Sequence, residues 1–246
     1  MNAFKSLSLE ELDQKFKTGI EFKLRNGTFV TIKYADANDF MEIAHLVQRH
    51  RLYKDPKPKG YISAAIRQKN EEDLNFFEAQ WKKVLDKNHP SKTLKAVHNG
   101  KIVGIARGEA YKESDSADIV AALKAASNSA LKPSFDLVEI NKNINQDEWI
   151  NAKWSEMHQF YLDADKKYQG NGLGTFLWGA MTSLLGKSGC TMMLINAMDY
   201  TENEPSRQTL KYLEDRGSVC GANIVEHNTR DGIEFLVPCR LYGCRL

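Results

Sequence analysis

Three glycines at alternate positions in Gln169-Gly170-Asn171-Gly172-Leu173-Gly174 make a spacing suited to holding an anion. Residues 157–165, which precede it, are rich in aromatic and aliphatic side chains and short enough for a strand. After it, Phe176, Leu177, Trp178, Met181, Leu184 and Leu185 recur at helical spacing. A glycine turn between strand and helix lets the backbone pass close to a ligand and adopt φ > 0 without steric cost. The unpaired N–H groups of the helix's first turn then face that ligand, and the helix dipole favours negative charge there. The expected occupant is phosphorylated. A Walker loop is excluded, because Gly174 is followed by Thr175-Phe176 rather than by lysine and a hydroxyl residue. A Rossmann fingerprint is excluded too, because the sixth place counted from Gly170 is Thr175.

The remaining pattern, Gln/Arg-x-x-Gly-x-Gly/Ala, is met by Gln169, Gly172 and Gly174, with Tyr168 and a Leu162-x-Ala164 strand before it. This segment resembles the pyrophosphate-binding segment of the GCN5-related N-acetyltransferase (GNAT) superfamily. The resemblance implies an α/β fold, with a mixed, mostly antiparallel central sheet flanked by helices. It implies acetyl-CoA as cosubstrate and no metal. The pyrophosphate would lie on the amides of Gln169, Gly170, Asn171, Gly172, Leu173, Gly174 and Thr175, with Lys166 and Lys167 as flanking charge. In the family the preceding strand leaves an N–H free for the thioester carbonyl. That position falls near Asp163-Ala164, after Leu162. The likeness is motif-grade over residues 162–175 and rests on element order elsewhere.

Acetyl transfer from a thioester to an amine needs a neutral amine, a donor for the developing oxyanion and a proton for the departing thiolate, whose thiol has a pKa of roughly 8–9. The resemblance puts the base far up the same strand, where Glu156 and His158 stand. His158 is the candidate, since an imidazole near pKa 6.5 takes a proton directly or through water. Glu109 and Glu113 are the fallbacks. For the acid, the family carries Asn-x-x-Ala-x-x-x-Tyr-x-x-x-Gly in a later helix. With its glycine on Gly217, Leu213 occupies the tyrosine position, which is a departure from the pattern. Tyr212, about 100° round a helix from it, and Tyr200 are the candidates left. The strand before the loop contains no cysteine, which favours direct transfer in a ternary complex over an acetyl-enzyme.

The elements that must position these residues are legible in pattern. Ser8-Leu9-Glu10-Glu11 is a capping box opening a short helix that ends before Gly19. Asn26-Gly27 and Asn99-Gly100 each join two apolar-alternating runs, a strong hairpin signal. Between these hairpins Phe40, Ile43, Ala44, Leu46 and Val47 share a helical face, and residues 62–87 read as a second helix. Residues 116–130 read as an Ala-rich helix within an insertion at about 112–156. Residues 190–197 read as a buried strand, Pro205 as a helix start, and residues 222–227 and 233–240 as a terminal hairpin. The expected organisation is an N-terminal helical appendage, 1–19, and one acyltransferase domain, 20–246.

With 34 basic and 32 acidic residues, the net charge of +2 argues against a dedicated nucleic-acid binder. No run approaches the ~20 apolar residues that cross a bilayer, and the start of the chain has no apolar signal core. Cys190, Cys220, Cys239 and Cys244 form no C-x-x-C pair and read as free thiols of a reducing compartment. The expectation is a cytoplasmic enzyme with no nucleic-acid or membrane partner. Its acceptor is a small-molecule amine or a protein lysine or N-terminus, with the small molecule preferred. A non-catalytic CoA-binding module and a homodimer stay open.

Overall fold

The computed structural model describes residues 4–54, 74–86, 88–111, 135–163, 165–198, 210–230 and 233–246. Tyr200, Glu113, Ala164, Pro205 and the Ala-rich stretch 116–130 lie outside the described residues. The chain forms two compact units, Met1–Glu109 with His158–Ser188, and Ala110–Met157 with Gly189–Leu246.

In the first unit, helix α1 (Leu9–Thr18) is opened by the Ser8–Glu11 capping box and buries Leu12 and Phe16. Strands β1 (Ile20–Lys23) and β2 (Phe29–Tyr34) pair antiparallel across the Asn26-Gly27 turn. Asp36 caps a short 3₁₀ turn, which leads into α2 (Phe40–Lys54). Helix α3 (Leu74–Val84) is the described part of the second predicted helix. Strands β3 (Lys92–His98) and β4 (Lys101–Ala110) make the second hairpin. Strand order in this unit is β1-β2-β3-β4-β6, the last being β6 (Trp154–Leu162), whose residues 158–162 belong here. After the glycine loop comes α5 (Leu173–Lys187).

Successive residues of a strand face opposite ways, so β4 serves two cores. Ile105 packs with Ile43, Leu46, Val47, Phe77 and Trp81 of α2 and α3. Gly104 and Gly108, on the other face, lie under Leu173, Leu177, Met181 and Leu185 of α5. The appendage is tied to α5 by aromatic contacts: Phe4 meets Phe16 and Phe176, and Phe176 also packs on Phe22 at 4.2 Å between ring centroids.

In the second unit the order is β6-β7-β9-β8-β5. Trp154, Ser155 and Glu156 pair in parallel with Met192, Met193 and Leu194 of β7 (Met192–Met198). The other ladders, β7 with β9 (Ile233–Arg245) and β9 with β8 (Val219–Arg230), are antiparallel. The sheet is thus mixed and mostly antiparallel, as expected. A helical turn at residues 210–214 buries Leu210 and Leu213.

Two elements of this unit went unread in the sequence. Strand β5 (Phe135–Ile140) pairs antiparallel with β8, and α4 (Gln146–Ile150) follows it. Both lie in the segment taken as an insertion. Trp149 of α4 packs against the backbone of Gly221 and Gly243, where a Cβ would come within 2.2 and 2.5 Å of its indole. It also meets Trp154 edge-on at 5.3 Å. Strands β8 and β9 run longer than the predicted 222–227 and 233–240. Among the described residues no helix is long and apolar enough to cross a membrane.

Candidate functional site

The glycine loop leaves the end of β6 and delivers the chain to α5. Gly170 and Gly172 have φ of 68° and 94°, the left-handed region that a side chain disfavours, so both positions need glycine. Gly172 is the N-cap of α5 and supplies no side-chain cap to its first turn. Among the described residues, no acceptor takes the N–H groups of Gly170, Asn171 or Gly172.

The carbonyls of the loop are held. Asn171 Nδ2 donates to the Gln169 and Lys167 carbonyls at 3.1 and 2.9 Å, and the Arg25 N–H donates to the Asn171 carbonyl at 3.1 Å. Among the described residues no peptide bond is cis, so each N–H there points opposite to the carbonyl of its own peptide. Fixing the Gln169 and Asn171 carbonyls therefore aims the Gly170 and Gly172 amides the other way. Tyr168, buried, bonds His98 Nδ1 through its hydroxyl at 2.8 Å, which roots the loop in β3. The Lys167 ammonium lies 4.8 Å from the Tyr168 ring centroid. The Tyr168 hydroxyl, and after it Asp165, push the Lys167 ammonium above the ordinary lysine value.

Asp163 has another role than the sequence suggested. Its N–H donates to the Val103 carbonyl of β4 at 2.9 Å, so this amide is not an oxyanion donor. Strand alternation directs the Leu162 N–H to the opposite edge of β6. The buried Asp163 carboxylate pairs with Lys101 at 2.9 Å and accepts the Asp165 N–H at 3.0 Å, while its carbonyl accepts the Gln169 side-chain amide at 3.1 Å. Asp163 and Gln169 thus shape the loop from within.

His158 Nε2 lies 3.3 Å from Glu109 Oε2, and both side chains are about one-fifth exposed, at 22% and 18%. Beside them Arg107 donates from Nη1 to Gln159 Oε1 at 3.3 Å and from Nε to Ser91 Oγ at 3.0 Å. Arg107 and Glu109 share one face of β4. Adjacent residues His158 and Gln159 of β6 thus meet Glu109 and Arg107 in turn. Ser91 Oγ is 2.8 Å from His89 Nδ1. Burial, and after it the Arg107 charge, pull the His89 imidazole below the ordinary histidine value, leaving it neutral near pH 7. The result is a half-buried group of two imidazoles, a carboxylate and a guanidinium at the end of the α2–α3 core.

Tyr212 belongs to the other unit, where the Arg216 guanidinium lies 3.3 Å from its ring centroid and donates to its carbonyl at 3.2 Å. Sequence reasoning missed Arg107, Ser91, His89, Arg25 and Asn26. A signal existed for the first: the alternation of β4 puts Arg107 on the face of Glu109.

The order of strands around one glycine loop invites comparison with known folds. A solved Rhodopseudomonas palustris protein, described as a GCN5-related N-acetyltransferase and aminotransferase of class II, matches 87% of this chain over 94% of its own. It does so at 15% identity with a TM-score of 0.51. A GNAT-family protein from Desulfovibrio desulfuricans matches 88% of this chain over 98% of its own, at 10% identity and a TM-score of 0.50. The fold is that of the GNAT superfamily. In sequence, no family model and no curated protein matches the chain. At such identities the GNAT likeness shows the fold alone.

Proposed function

We propose that this chain is an acetyl-CoA-dependent N-acetyltransferase that moves the acetyl group directly to a primary amine of a small molecule. The observation that carries the reading is the glycine loop: left-handed Gly170 and Gly172, each following a carbonyl held by a donor, at the start of a 15-residue helix. Such a seat fits a pyrophosphate, which accepts several N–H bonds and gains from the helix dipole. The residues assigned to it are Gln169 to Thr175, with Lys167 held beside them as fixed positive charge.

The amine attacks the thioester carbon. The C–N bond forms, the C–S bond breaks, and the amine's proton ends on the thiolate. His158 is the base, and Glu109 fixes the orientation of its imidazole and offsets the charge it acquires. A small acceptor suits a half-buried group of His158, Glu109, Arg107 and Gln159 better than an open surface does. The test is thiol release from acetyl-CoA across a panel of small amines and lysine peptides. The reading expects release with at least one small amine and none with peptides alone. Acetyl-CoA binding without any transfer would replace it by a CoA-binding module.

A further inference from the structure

We infer that the β1–β2 turn is part of the cofactor site, and that Asn26 is the residue that sets the glycine loop in its binding shape. The inference rests on the reading of that loop as the acetyl-CoA seat. Asn26 lies 141 positions before Lys167, yet its Nδ2 donates to the Lys167 carbonyl at 2.8 Å. Its Oδ1 accepts the Thr28 N–H at 3.1 Å, so both ends of the amide are committed and its orientation is fixed. The neighbouring Arg25 N–H holds the Asn171 carbonyl. Phe22 of β1 stacks on Phe176 in the first turn of α5, and a Cβ at Gly172 would come within 3.9 Å of the Phe22 ring. The hairpin therefore grips the loop at two carbonyls and the helix at one ring.

The grip decides which way the seat faces. As glycines, Gly170 and Gly172 have wide backbone freedom, so a loop containing both would sample many shapes unaided. Holding the Asn171 carbonyl fixes the plane of the Asn171–Gly172 peptide, and with it the direction of the Gly172 N–H. The Lys167 carbonyl takes donors from both Asn26 and Asn171, which anchors the loop's near end. Asn26 is a positioning residue: it touches no ligand and acts through the amides that do. A preformed seat spares the ligand the cost of ordering it.

The test is Asn26→Asp, which keeps the Oδ1 acceptor of the turn but puts an oxygen against the Lys167 carbonyl. Acetyl-CoA affinity, by calorimetry, is expected to weaken about tenfold. The turnover number at saturating acetyl-CoA is expected to stay unchanged, so the effect falls on KM alone. In the ligand-free protein, ¹⁵N order parameters of the Gly170 and Gly172 amides should drop from about 0.85 toward 0.6. If Asn26→Asp does not fold, Asn26→Ala decides the same points. Wild-type binding with equal affinity in the variant overturns the inference and leaves the loop assignment standing. No binding by the wild type removes the loop assignment and the inference with it.

Discussion

Gly104→Ala tests how the core beneath the loop is coupled to it. A Cβ at Gly104 would stand 2.9 Å from Leu162 Cδ2 and 3.1 Å from Leu177 Cδ1, with Leu173 Cδ2 at 3.5 Å. Carbon atoms pack best at about 3.5–4.0 Å, so the first two contacts are short by about 0.4–0.6 Å or more. Overpacking of this kind costs about 1–3 kcal/mol, and the alanine returns about 0.4–1 by restricting the unfolded chain. The net expectation is a loss of about 1–2 kcal/mol in urea unfolding. The three leucines sit where β6 ends and α5 begins, so relief of strain displaces the two ends of the glycine loop. If half of that strain is passed to the loop, acetyl-CoA binds about threefold more weakly. Gly108→Ala is the control. Its Cβ would meet Met181 Sδ at 2.9 Å and Leu185 Cδ1 at 3.1 Å, deeper along α5. Methionine yields easily, and Met181 lies about 12 Å down the helix axis from Leu173. Gly108→Ala should therefore cost less stability and leave affinity unchanged. Equal loss of affinity in the two variants, or none in Gly104→Ala, would refute this coupling.

His158→Ala should lower turnover about a hundredfold or more while acetyl-CoA affinity stays within about twofold, and Glu109→Gln should give a smaller loss of the same kind. Equal activity in His158→Ala removes this imidazole from the mechanism. Trp149→Ala empties the space over Gly221 and leaves only Met192 near Gly243, so a loss of about 3–5 kcal/mol is expected in denaturant unfolding. A loss below about 1 kcal/mol would mean that α4 is dispensable to its unit.

What the sequence disclosed was local. The Ser8–Glu11 box, the two Asn-Gly turns and the strand–glycine–helix run are each set by neighbours in the chain, and each formed where it was read. The pairs that make the polar group are not local. Glu109 meets His158 across 49 positions and Arg107 meets Gln159 across 52, and both meetings depend on the pairing of distant strands that no local pattern announces. Asn26 showed only its turn chemistry, because its second partner is set by the docking of the hairpin. Strand β5 went unread because Phe-Asp-Leu-Val-Glu-Ile is short and gains its ladder only from β8. Helix α4, at five residues, is too brief to display a period. The polar run Asn228-Thr229-Arg230 read as loop, yet backbone pairing carries it on to Arg230 opposite Ile233.

The central claim is that the loop from Gln169 to Thr175 holds acetyl-CoA. Calorimetric titration of the wild type with acetyl-CoA, with Gly172→Glu alongside, tests it most directly. Glutamate at φ 94° strains the turn and brings a negative charge to the seat. Saturable binding by the wild type that vanishes in a folded Gly172→Glu is the predicted result, and unchanged affinity in that variant would contradict the account.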